Sequence, residues 1–131
     1  MLPRRIPKPA KRASRWRSMA HCAWIRGFAC CVCGSTTNVQ VAHVRLGSGA
    51  GMAQKPDDWR TVPLCGGPRS NIEGQLGCHD RQHITGEATF WANKQGLYNK
   101  VDPEALIAEL IKASPRRAQI EQEMRGRANG Q

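Results

Sequence analysis

The chain has 131 residues, 40% of them hydrophobic and 23% charged, with six cysteines and a formal net charge of +10. That length allows one domain with appendages, and a folded part small enough to gain from a metal staple. No apolar run is long enough to span a bilayer, and no apolar h-region follows the basic N-terminus, so no membrane association and a cytoplasmic setting with reduced thiols are expected.

The positive charge is one-ended. Residues 1–56 hold ten Lys or Arg and no acidic residue, whereas residues 57–131 hold ten of each. A basic excess of this kind suits a polyanion, and nucleic acid is the polyanion expected for a protein outside the membrane. Residues 1–13, MLPRRIPKPAKRA, combine three prolines with five basic residues. Proline opposes regular helix and charge opposes collapse, so this stretch is expected to be a disordered arm that follows a phosphate backbone. Arg4, Arg5, Lys8, Lys11 and Arg12, with Arg15, Arg17 and Arg45 further on, are the candidate nucleic-acid contacts.

Residues 14–100 are expected to form the folded domain. Trp16, Met19, Ala20, Ala23 and Trp24 recur at helical spacing and predict an amphipathic helix over about 15–26, capped by Ser14 and ended by Gly27. His21 and Cys22 fall within it as ordinary helix residues. Cys30-Cys31-Val32-Cys33-Gly34 predicts a tight knuckle, with Gly34 suited to a positive φ. Val39 to Val44 reads as a strand pairing with a second near Arg60 to Pro63. The glycine-rich stretches LGSGAGMAQKP and GGPRSNIEGQLG read as loops. His79 to His83 opens a short helix ending by Gly86, and Glu87 to Gln95 predicts another that buries Phe90 and Trp91. Residues 101–131 form a helical extension. Asp102-Pro103-Glu104 marks a helix start, Leu106, Ile107, Leu110 and Ile111 supply its apolar stripe, and Ser114-Pro115 ends it. Arg116 to Arg127 reads as a loosely docked helix at best.

The cysteines are unevenly placed, a CxxC followed by two distant partners, which is a zinc pattern rather than a disulfide framework. Structural zinc takes four ligands in a tetrahedron, commonly two from a knuckle and two from a distant element. Cys30 and Cys33 form the first pair; Cys65, ending a strand, and Cys78, opening a helix, form the second. His79 is the alternative to Cys78 as fourth ligand.

His79 and His83 stand four apart, so a helix puts both imidazoles on one face at chelating distance for a second divalent metal. His43 lies on the strand after the knuckle, within reach of that helix. A neutral histidine can take a proton from water near neutral pH, and a metal beside it can hold a scissile phosphate and stabilise the leaving oxygen. The combination points to phosphodiester hydrolysis.

CxxCG, then AHV on a strand, then PLC, then CHxxxH, over about residues 16–96, resembles the HNH endonuclease superfamily. The closest group is that of the phage and prophage recombination-enhancement nucleases. The resemblance implies an α+β fold, a small zinc-stabilised treble-clef, ββα-metal core with flanking helices. It implies His43 as general base, His79 and His83 as ligands of a catalytic Mg²⁺, Mn²⁺ or Zn²⁺, and Cys30, Cys33, Cys65 and Cys78 on a structural Zn²⁺. DNA, single-stranded, duplex or branched, would be the substrate in a bacterial host nucleoid, with a recombination protein as a possible partner. The chain departs from the family at two places. Ala42 stands where a metal-binding residue often precedes the base, and the middle Asn has no counterpart, Asp58 being nearest for its loop-bracing role. The alternative function is a non-catalytic, zinc-stabilised nucleic-acid-binding module.

Overall fold

The structure, a computed structural model, describes residues 1–7, 15–48, 55–67, 76–92 and 101–128. Residues 1–7 are exposed and carry no regular secondary structure; the rest of the basic arm, with Lys8, Lys11 and Arg12, lies outside the described residues. Among the described residues two strands and five helices follow in the order α1 (Met19–Ile25), β1 (Val39–His43), β2 (Thr61–Cys65), α2 (Cys78–Thr85), α3 (Glu87–Ala92), α4 (Pro103–Ala113) and α5 (Arg117–Ala128). The fold is α+β, as expected from the sequence.

The two strands pair antiparallel, with His43 opposite Thr61, Ala42 opposite Val62 and Val39 opposite Cys65. All five residues of β2 are buried, because the helices cover this strand. Ala42, Val44, Val62 and Leu64 of the strand region meet Ile25 of α1, Trp91 of α3, and Ile107 and Leu110 of α4 in one core. Burial of this apolar surface, at about 25 cal/mol per Å², is the main favourable term that draws the elements together. Trp91 is buried as expected, whereas Phe90 is only partly covered.

Helix α1 departs from expectation in length and in face. It begins four residues later than predicted, because Ser18, not Ser14, accepts the His21 N–H at its start. Met19, Ala20 and Ala23, expected to face the core, are exposed, and the buried residues are His21 and Ile25. His21, expected to be an ordinary helix residue, is instead part of the buried face. The imidazole is in fact fully buried, and its Nδ1 lies 2.8 Å from the Ser114 hydroxyl at the end of α4.

Helix α4 starts as read. Asp102 accepts the Glu104 N–H, and Pro103 occupies the first turn, where its missing N–H costs nothing. Helix α5 was expected to dock loosely, yet it is pinned at both ends. Ile120 is fully buried, and the Arg127 guanidinium lies 2.7 Å from Asp57 and 5.0 Å from the Trp59 ring. The C-terminal segment therefore packs against the same body that carries the cysteines and histidines.

Candidate metal centre and catalytic groove

The four cysteines singled out from the sequence come together. Their sulfurs all lie within 4.8 Å of one another, and Cys33 and Cys65 are 3.5 Å apart. Sulfurs on a tetrahedral zinc at about 2.3 Å would be about 3.8 Å apart, so the cluster has the right size for such an ion. Local hydrogen bonds shape it. Cys30 N–H donates to the Ser35 carbonyl, Gly34 N–H returns to the Cys30 carbonyl, and Gly34 takes the expected positive φ of 78°. Cys31 N–H donates to the Pro63 carbonyl at 3.0 Å, docking the knuckle beside β2 and bringing it to Cys65. Cys78 N–H points at the Cys65 sulfur at 3.4 Å.

The chemistry of the set fits a cation. The Cys30 thiol is held far below its ordinary value, chiefly because it accepts the Cys78 S–H, and the Cys78 thiol is raised in return. Crowded sulfurs that must share protons are stabilised when a metal replaces those protons. Cys31 stays outside the cluster, its thiol pushed up to about 12 by burial. Four cysteines at this spacing could hold a structural metal ion such as zinc.

The wide sequence gap between Cys65 and Cys78 closes through glycine. A Cβ on Gly77 would run into the backbone of Gly66, Gly67 and the Cys65 carbonyl. Only a residue without a side chain allows that approach. Cys78, and not the alternative His79, thereby completes the cluster.

On the other side of α2, His79 and His83 share one face, their Nε2 atoms 3.1 Å apart. Two nitrogens bound to one ion at about 2.1 Å, with an angle of 90–110°, would be roughly 3.0–3.4 Å apart. The pair is thus already at ligand spacing. The His79 imidazole is kept below its ordinary value by burial and then by the neighbouring His83, so a lone pair is available for a cation. No third His, Cys, Asp or Glu joins the pair among the described residues. Two protein ligands suffice for an ion such as Mg²⁺, which retains several waters or substrate oxygens.

His43 opens onto the same groove, a concavity of about 450 Å³ lined by Val41, His43, Arg45, Lys55, Pro56, His79, His83 and Glu87. Its Nε2 lies 2.9 Å from the Asp58 carboxylate. Asp58 is itself held on several sides. It accepts from Arg15 at 2.8 Å and from the Ser18 N–H at 2.8 Å, and its carbonyl accepts from the Thr61 hydroxyl at 2.7 Å. Burial raises the Asp58 pKa, but the hydrogen bonds from His43, Ser18 and Arg15 outweigh it and hold the carboxyl below its ordinary value. Cys22, given no role from the sequence, also faces this carboxylate, and burial together with Asp58 pushes its thiol up to about 11.

The expected nucleic-acid contacts divide. Arg4, Arg5 and Arg17 are exposed, and Arg45 lines the groove beside Glu87. Arg15 turns inward, its guanidinium committed to Asp58 and the Pro56 carbonyl rather than to solvent. Sequence reading missed Lys55 in the groove wall and Glu87, whose carboxylate accepts the Arg45 and Leu46 N–H groups at 2.8 and 3.2 Å. Glu87 follows His83 by four residues, a repeat of the histidine spacing that could have flagged it.

A family model described as a protein of unknown function, DUF968, matches residues 5–85. The chain belongs to the DUF968 family. The DUF968 match ends at the last residue of α2, and it takes in all four clustered cysteines, the three groove histidines and Asp58. No curated protein and no solved structure matches the chain. No helix among the described residues is long and apolar enough to cross a membrane.

Proposed function

We propose that this chain is a metal-dependent endonuclease hydrolysing phosphodiester bonds in DNA, with the treble-clef, ββα-metal arrangement of the HNH superfamily formed by the knuckle, β1, β2 and α2. The observation that carries the reading is the groove, where His43, His79 and His83 converge between two cationic side chains, Arg45 and Lys55. In this reading the Asp58 carboxylate takes the Nε2–H of His43, which leaves Nδ1 as the ring's lone-pair nitrogen. That nitrogen accepts the proton of the attacking water, while Asp58 holds the ring's orientation and favours the imidazolium that forms. Arg45 and Lys55 neutralise the non-bridging phosphate oxygens. A divalent ion on His79 and His83 would supply Lewis-acid stabilisation of the phosphate and the leaving oxygen.

The cysteine cluster, with zinc, would be the scaffold that fixes β1 against α2. Arg4, Arg5 and Arg17 would follow the backbone beyond the groove, giving affinity that weakens with salt. The resemblance extends the reading to phage or prophage DNA processing, within a bacterial host and beside recombination proteins.

One observation favours a second reading, a non-catalytic zinc module that binds nucleic acid. Ala42 is fully buried, so the position before His43 offers no ligand to the groove. Cleavage of single-stranded, duplex and branched DNA in Mg²⁺ and Mn²⁺ separates the two. The nuclease reading expects nicking that His43→Ala abolishes while DNA binding and zinc content persist. Equal activity in that variant would overturn it.

A further inference from the structure

The proposed mechanism leaves one groove-side contact unused. Gln40 of β1 places its Oε1 2.8 Å from Nδ1 of His79. An amide oxygen only accepts, so the nitrogen facing it must carry the proton. A neutral imidazole protonated at Nδ1 has its lone pair on Nε2, the atom that stands 3.1 Å from His83. The second nitrogen of the pair is therefore prepared by a residue outside the pair.

Gln40 is in turn held from the cysteine side. Its amide crosses Gly66, the residue after Cys65, so closely that a Cβ there would meet Gln40 Nε2 at 2.5 Å and Cδ at 2.7 Å. The same Cβ would stand 2.8 Å from Asn38 Nδ2. Gly66 N–H donates to the Asn38 carbonyl at 2.8 Å, and the Asn38 side chain donates to the Gly67 carbonyl at 3.0 Å. The backbone leaving β2 is thus fastened to the start of β1, and the Gln40 side chain lies along it. Neither Gly66 nor Gln40 lines the groove; Gln40 stands behind its wall, against His79.

We propose that Gln40 is a positioning residue for the histidine pair: it fixes His79 as the Nδ1–H tautomer with Nε2 turned to His83, and Gly66 sets the Gln40 amide by leaving room for it. This role rests on the reading of His79 and His83 as ligands of a divalent ion. Partners of this kind, behind a ligating histidine, commonly contribute 10- to 100-fold in metal affinity. The arrangement joins the two metal positions mechanically, because the residue that follows a cysteine of the cluster determines where the amide behind His79 can sit.

The test uses the full chain with zinc in the cysteine cluster. Long-range ¹⁵N imidazole spectra of the protein before Mn²⁺ addition report the tautomer of His79, and loss of the free-ion Mn²⁺ electron-resonance signal reports affinity at the pair. Wild-type protein should show the Nδ1–H tautomer. Gln40→Ala should mix the tautomers and weaken Mn²⁺ binding by about 10- to 100-fold with zinc content unchanged. Gln40→Glu keeps an accepting oxygen and should retain both the tautomer and the affinity. Gly66→Ala should weaken Mn²⁺ binding although it alters no ligand. A wild-type His79 protonated at Nε2, or Gln40→Ala with unchanged tautomer and affinity, overturns the role of Gln40. Wild-type protein that takes up no Mn²⁺ overturns the metal reading beneath it, and with it the role.

Discussion

The Nε2 of His43 lies 2.9 Å from a carboxylate oxygen of Asp58, fifteen residues further along the chain and on the far side of the sheet turn. The groove histidine takes its ring orientation from this buried acid, which also anchors Arg15 and the Ser18 N–H at the start of α1. Asp58 is therefore a brace for the helix and a partner for the groove histidine at once.

Replacing Asp58 by Asn should separate those roles. The amide keeps the volume but no longer favours the imidazolium, and on the proposed mechanism DNA cleavage should fall by roughly 100-fold, at the low end of what general-base catalysis contributes. Zinc content should not change. Cleavage rates and metal analysis on one preparation check this, and an unchanged rate would count against His43 as base.

Cysteine substitutions should divide cleanly. Cys30→Ser, Cys33→Ser, Cys65→Ser or Cys78→Ser should reduce bound zinc from about one per chain and lower the melting temperature sharply, because metal binding and folding are coupled. Cys22→Ser and Cys31→Ser, whose sulfurs lie outside the cluster, should retain the metal. Zinc analysis with thermal melts reads both outcomes, and strong chelators should destabilise the wild-type chain in the same way.

The clamp on α5 has its own signature. Arg127→Ala removes a charged hydrogen bond to Asp57 and a guanidinium packed on Trp59. A part-exposed pair of this kind should contribute about 1–2 kcal/mol. The loss should appear as a lower urea midpoint with an unchanged slope.

His21 carries a pH dependence. Burial, outweighing the nearby Asp58 charge, holds its imidazole below the ordinary value of 6.5. The unfolded chain therefore accepts a proton that the folded chain resists. Stability is unaffected by this group well above pH 6.5 and declines as the pH falls through that value toward the folded pKa. His21→Gln, which can still bond to Ser114, should lose less stability than wild type between about pH 6.5 and about pH 5. Urea melts of the zinc-loaded proteins at the two pH values measure it; parallel losses in both would refute the assignment.

Gly77→Ala tests the closure between the two distant cysteines. The added methyl would collide with backbone rather than with a flexible side chain, so the chain must shift beside Cys78. Zinc affinity should drop together with stability. Gly34→Ala meets no neighbour and should cost only the left-handed backbone penalty, about 1 kcal/mol. Comparing the two variants by zinc competition and melting separates collision from backbone strain.

The parts legible in the sequence were those set by short spacing. CxxC, the His79–His83 interval, the strand at Val39 and the Asp102-Pro103 start each depend on residues within a few positions. The parts that escaped depend on distant partners. His21 looked like an ordinary helix residue because its partner hydroxyl belongs to Ser114, 93 residues away. Helix α5 looked loosely docked because its anchors, Asp57 and Trp59, lie some seventy residues earlier. Arg15 looked like a cation for phosphate until Asp58 was placed beneath it. Asp58 was singled out by analogy alone, and its direct contact with His43 needed the fold.

The glycine contact that seats Cys78 beside Cys65 has a consequence for what the chain can carry. Because Gly67 and Gly77 meet backbone to backbone, the stretch spliced between them begins and ends at one fixed junction. A change in its length should therefore leave the sulfurs in their places. A peptide tag inserted there should be carried without loss of zinc, which makes this junction a natural point for attaching a reporter.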